Sequence, residues 1–180
     1  RPLSATGNYL AGREALQALR TADAAKYFSQ AATADWEDVD VVERAFTAYA
    51  ANGQIGDAAT MAQHLLELEP SNELARMVVA TQALKERRYG ATITELGDLG
   101  TDSFTGITGA ILKGWALVGN NKVSEASKLL DDLGRDGLDK FLVFHQALME
   151  DVAGNSDKAI ELAKIAYEST IIEKANWTLV

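Results

Sequence analysis

His64 and His145 are the only histidines in the chain, and it has no cysteine. A zinc site needs three or four donors, and neither histidine has a second one a helical turn away. Each is therefore expected on a surface or in a groove. Acidic residues offer a second route to chemistry. Asp35, Glu37, Asp38 and Asp40 have the density of a calcium loop but lack its central glycine and its closing glutamate. Asp132, Asp136 and Asp139, set around Gly134 and Gly137, fail similarly. Both clusters read as solvated turns. The pairs Glu150-Asp151 and Asp131-Asp132 are adjacent in sequence, so on a helix they diverge by about 100° and do not converge on one bond.

Other motifs for chemistry are missing. Neither the phosphate-loop pattern nor GxGxxG occurs, so a nucleotide would lack its phosphate cradle. No Ser/His/Asp set suggests a nucleophile. Lys85, Arg87 and Arg88 cluster where they would complement a helix C-terminal dipole. Asn176-Trp177-Thr178 matches a glycosylation sequon. These residues assign no catalytic, cofactor or metal role, and the expected protein is not an enzyme.

The elements that would position any functional side chain are helices. The chain has 180 residues, 47% hydrophobic, with alanine a large share and only two prolines. Alanine favours helix and lets helices approach closely. In residues 39–72, Val42, Ala45, Phe46, Tyr49 and Ala50 share one helical face. Asn52-Gly53 breaks the pattern, because both residues tolerate a left-handed backbone. Ile55, Ala58, Ala59, Ala62, Leu65 and Leu66 then make a second face. Pro70 ends it, and Asn72 is placed to cap the next helix. Ser4 or Thr6 is placed to cap the first. Thr21-Ala22-Asp23 reads as the turn between the first two helices, and residues 100–106 as the longest loop.

The unit recurs every 34 residues. Ala24, Ala58 and Ala126 align, with Thr92 in the same column. Gly12, Ala80 and Gly114 align, with Phe46 as the exception. Phe28, Ala62, Leu96 and Leu130 make a third column, and Ala31, Leu65, Leu99 and Leu133 a fourth. Ile55, Tyr89 and Val123 make a fifth, from which Thr21 departs. Small residues are needed where two helices cross closely. A fifth copy fits after deletion of one residue, placing Ala159, Ala163 and Ala166 in the small and apolar columns.

This period, with two helices per copy, resembles the tetratricopeptide repeat family over roughly residues 5–173. Only Pro70 fills the family's exit-proline column; Trp36, Phe104 and Leu138 replace it. Lys113 and Gln146 occupy a column that is usually apolar. The resemblance implies an all-α, right-handed superhelical solenoid of about five helix-turn-helix repeats. They fall near 5–38, 39–72, 73–106, 107–139 and 140–173, with 174–180 starting a sixth, in one repeat domain.

The resemblance also implies that the first helix of each pair lines a groove for extended or helical peptides. Carried across, its columns are Tyr9 and Arg13, Glu43 and Thr47, Leu74, Met77 and Thr81, Ile111 and Trp115, and Phe141, Phe144 and Leu148. The second half is apolar and aromatic, which suits a partner's hydrophobic side chains. The basic and Asn set with which some family members clamp a terminal carboxylate is missing. The expected partner is a protein or peptide; self-association, or a role as a spacer in a longer repeat protein, is the alternative.

A formal charge of −9 disfavours nucleic acid and anionic membrane surfaces. No run of 18 apolar residues exists to span a membrane. The chain opens on Arg1-Pro2 rather than Met, so a signal peptide or an upstream domain is expected to have been removed or not included. The compartment stays open between an exported protein and a cytoplasmic fragment, with the acidic, Ala-rich composition leaning to the former.

Overall fold

The structure, a computed structural model, describes residues 2–97, 99–100, 102–134 and 137–177, with side chains through position 168. Among them are ten helices and no strand. The chain divides into two compact units, Arg1–Glu86 and Arg87–Val180. The first holds α1 (Ala5–Gln17), α2 (Thr21–Ala34), α3 (Val39–Ala51), α4 (Ile55–Leu68) and α5 (Glu73–Lys85). The second holds α6 (Tyr89–Glu95), α7 (Phe104–Gly119), α8 (Val123–Asp132), α9 (Asp139–Val152) and α10 (Ser156–Trp177). α10 passes unbroken through the 173–174 boundary drawn from the sequence.

Most of these helices are too short to hold alone in water, so capping and packing decide them. Ser4 accepts from Gly7 N at 3.1 Å, Asp38 from Val41 N at 3.2 Å, and Asn72 from Ala75 N at 2.9 Å. In the second unit Ser103 accepts from Gly106 N at 3.0 Å and starts α7 at Phe104, a turn earlier than the repeat columns imply. α6 is correspondingly brief, ending at Glu95 before Gly97.

The turns are the most regular part. A left-handed residue follows α1, α3, α5, α7 and α9: Leu19, Gly53, Arg87, Asn121 and Gly154. Around four of them the same reversed pair of backbone bonds closes the helix end: Arg20 N to Ala15 O, Gln54 N to Tyr49 O, Lys122 N to Leu117 O and Asn155 N to Glu150 O, at 2.8–3.0 Å, each beside a shorter-range bond. Thr21-Ala22-Asp23 is therefore not a turn. It is the first turn of α2, and the reversal lies at Ala18-Leu19-Arg20. Arg87 and Arg88 also differ from expectation. Arg87 is the left-handed residue and Arg88 the N-cap of α6, so only Lys85 sits in a last turn.

In the first unit α2 packs on α1, α3 on α2, α4 on α3 and α5 on α4. The core centres on Phe28, Phe46, Val42 and Leu65, all fully buried, with Ala24 and Ala58 between them. A Cβ on Gly12 would meet the Phe28 ring at 2.8 Å, so glycine sets how near α1 and α2 can lie. Phe46 and Ala62 invert that pair: the large residue is on the first helix and the small one on the second, and both are fully buried. The volume is kept while its donor changes.

In the second unit α7 packs on α6 and α8, and α9 on α8 and α10. Gly114 lies 3.0 Å, measured from an ideal Cβ, from Leu130 Cδ1 and Met149 Cε. Thr92 and Ala126 are fully buried. Thr92 fits the alanine column because its hydroxyl donates to Arg88 O at 3.2 Å, leaving a methyl for the core. Gln146, the polar residue in an apolar column, is buried and donates to Asp131 Oδ1 at 2.7 Å and Ser127 O at 3.0 Å.

Candidate functional site

In the first unit the predicted groove residues do not gather into an apolar surface. Tyr9 is half-buried, edge-on to Phe28 at 5.8 Å, with the Arg44 guanidinium 5.6 Å from its ring centre. It borders a cleft of about 270 Å³ whose other walls include Ala31, Asp35, Asp38, Asp40 and Val41. Arg13, Glu43 and Thr47 are exposed. Glu43 and Thr47 border a smaller cleft with Leu16 and Arg44, and Asn72 Nδ2 donates to Glu43 Oε1 at 3.4 Å. On α5, Leu74 is exposed, while Met77 and Thr81 are half-buried. The Thr81 hydroxyl is spent on Met77 O at 2.8 Å.

The second unit differs. Phe141, Phe144 and Leu148 are spaced to share one stripe of α9, and they are 51%, 51% and 39% exposed. Ile111 is 8% exposed and packs into the core, so it offers no groove surface. Trp115 is half-buried on α7, and its indole N–H donates to His145 Nδ1 at 3.2 Å.

His145 is thus the hub of an aromatic cluster. Its ring centroid lies 4.6 Å from Phe141, 6.1 Å from Trp115 and 6.3 Å from Phe144, all edge-on. Accepting at Nδ1 requires the neutral tautomer with its proton on Nε2. Burial disfavours the charged ring and lowers its pKa from the usual 6.5. Beside the cluster a cleft of about 620 Å³ opens between α9 and α10, lined by Lys140, Phe141, Phe144, Ala163, Ala166 and Tyr167.

His145 and Tyr167 were not among the predicted groove residues. The run Phe141-x-x-Phe144-His145 was the available signal, but the partner Trp115 comes from another helix. His64 has a structural task in the first unit. It stacks on Trp36 at 4.0 Å and 10°, its Nε2 lies 2.7 Å from Trp36 O, and its Nδ1 lies 3.0 Å from Glu67. Glu150 and Asp151 diverge as their spacing requires: Glu150 is buried, held by Lys158 Nζ at 2.5 Å and Asn155 Nδ2 at 2.6 Å, and Asp151 is exposed. Among the described residues no group of three or more His, Asp or Glu side chains is placed to hold a metal ion. Asp136 and Thr178 lie outside the described residues.

The paired helices, their uniform turns and their small-residue crossings define a tetratricopeptide-repeat-like fold, the all-α architecture of helical-repeat solenoids. Solved structures agree. MamA from Desulfovibrio magneticus superposes with a TM-score of 0.70 at 18% identity, over 91% of this chain and 93% of that one. A putative kinesin light chain of Podosopora anserina, with nearly identical TPR-like repeats, gives 0.68 at 15%, over 89% and 92%. YrrB, a TPR protein with an unusual peptide-binding site, gives 0.71 at 15%, over 92% and 86%. No protein-family profile and no curated protein matches the sequence. Among the described residues no helix is long and apolar enough to cross a membrane.

Proposed function

We propose that the protein is a non-catalytic interaction scaffold that holds a peptide, extended or helical, against the apolar face of its second unit. Phe141, Phe144 and Leu148 on α9, with Trp115 beside them, are the anchors. The observation that carries this reading is the exposure of three large apolar residues along one stripe of a single helix. Aromatic anchors of this kind supply most of the binding energy at interfaces. In the first unit Tyr9, Arg13, Glu43, Thr47, Leu74, Met77 and Thr81 are a more polar set. The shared fold with YrrB, whose description names a peptide-binding site, supports the reading.

Selection from a displayed peptide library would supply a ligand, and affinity would then be compared among variants. Trp115→Ala and Phe144→Ala should each weaken binding at least about tenfold. Their circular dichroism melts should stay cooperative. Normal binding by both variants would remove the groove assignment. Light scattering over a dilution series separates the alternative, because only self-association gives a mass that falls on dilution.

A further inference from the structure

Asn52-Gly53 is the only Asn-Gly pair in the chain, and such a pair carries a chemistry of its own. With no side chain on the second residue, the Gly53 nitrogen can reach the Asn52 side-chain amide. It gives its proton to solvent base and attacks Cγ. The new N–Cγ bond expels Nδ2 as ammonia and leaves a succinimide. Water then opens the ring at either carbonyl, giving aspartate or isoaspartate at position 52. The fold opposes each part of that approach. Ring closure needs the Asn52 Cβ eclipsed with the Gly53 nitrogen about the Cα–C bond. With ψ at 1°, the residue's own nitrogen is eclipsed there instead, and Cβ is turned away. The Gly53 N–H is held by Ala50 O at 3.0 Å. Both ends of the side-chain amide are occupied too. Thr21 Oγ1 donates to Oδ1 at 2.9 Å, and Nδ2 donates to Gln54 Oε1 at 2.6 Å.

Thr21 is the residue that departs from the column of Ile55, Tyr89 and Val123, and this bond gives the departure a task. Thr21 starts α2, whereas Asn52 closes α3. Gln54 Nε2 carries the bonds on to Asp57 Oδ2 at 3.1 Å, in the first turn of α4. They therefore run from one hairpin into the reversal of the next. We propose that Asn52-Gly53 is a latent deamidation site, kept unreactive by the Thr21 hydroxyl of the preceding hairpin. Such chemistry proceeds from locally opened states, so its rate follows how often that contact parts. Isoaspartate adds a methylene to the main chain just before Gln54, whose N–H bonds Tyr49 O at 3.0 Å. The reversal between α3 and α4 then cannot re-form, and a brief opening of the first unit becomes a permanent one.

The test follows the intact protein through long incubation in mildly alkaline buffer. Peptide mapping by mass spectrometry separates asparagine, aspartate and isoaspartate at position 52. Conversion should be at least about tenfold slower in the native protein than in the same chain unfolded in guanidinium. Thr21→Val, which keeps the shape and loses the hydroxyl, should raise the native rate about fivefold, the worth of one hydrogen bond. Thr21→Ser should keep the protection. Asn155, in an Asn-Ser pair of the second unit, should keep its rate in both variants. Should Thr21→Val fail to melt cooperatively, Gln54→Leu, which frees Nδ2, carries the test with the same expected rise. Equal native and unfolded rates, a parental rate in the Thr21→Val protein, or a Thr21→Ser protein as fast as Thr21→Val each overturns the proposal. An Asn155 rate that rises in step with that of Asn52 also overturns it, because the whole chain would then be opening.

Discussion

Phe28 covers Gly12 so closely that a methyl group there would stand 2.8 Å from the ring. Alanine gains about 1 kcal/mol of helix propensity over glycine, and overpacking costs roughly 1–3 kcal/mol. Because a buried ring cannot step aside, Gly12→Ala should lower stability by about 1–2 kcal/mol. Gly119→Ala should cost more, since its Cβ would meet the Tyr89 ring at 2.4 Å. Gly56→Ala, with nothing within 4 Å, should be neutral or stabilising. Urea midpoints rank the three; equal values for Gly12→Ala and Gly56→Ala would refute the packing argument.

Leu19 holds a left-handed backbone, φ 57°, with its side chain 85% exposed. The conformation costs a non-glycine residue about 1–2 kcal/mol, part of which glycine gives back through its freer unfolded chain. Leu19→Gly should therefore stabilise the first unit by about 0.5–1 kcal/mol. A thermal melt lower than that of the parent would show that Leu19 makes contacts worth more than its strain.

The same residue marks where the sequence stops being readable. Asn52-Gly53 announces its turn because both residue types suit that backbone. Ala18-Leu19-Arg20 makes the same turn with no such signature, so it could be found only by stepping the period back from Gly53. The alanine columns were readable because close crossings leave few choices. Thr92 and Gln146 were harder, since each is admitted by a hydrogen bond invisible in a column of residue types. Of the candidate site, Phe141, Phe144 and Leu148 were reached only by carrying the family's groove columns across. Its hub was not reached, because the Trp115–His145 bond joins residues on separate helices and depends on packing.

Glu150 is 1% exposed. Burial alone would raise its pKa, but hydrogen bonds from Lys158 and Asn155, with the Lys158 charge, outweigh it and hold the carboxyl below the usual 4.5. A lowered folded value stabilises the charged form. The contribution is therefore complete above pH 4.5 and is lost as pH falls through the folded value. Glu150→Gln should flatten the decline of stability between neutral and acid pH, read from urea melts. A decline as steep as the parent's would place the acid sensitivity elsewhere.

His145 titrates in the same sense for a different reason. Its neutral ring is favoured in the fold, so its contribution is present above pH 6.5 and fades as pH falls through the lower folded value. Protonation at Nδ1 would set two donors against each other and break the bond to Trp115. Trp115 emission should change over that range, and His145→Phe should abolish the change. A titration that persists in the variant would assign it to another group.

The inverted pair of Phe46 and Ala62 bears on how this molecule can be engineered. Grafting α3 alone opposite α2 would set Phe46 against Phe28, while moving α2's counterpart opposite α1 would face Gly12 with Ala62 and leave a void. Each of these two hairpins carries its own complementary bump and dent, so the smallest piece that can be transplanted from them is the pair of helices together.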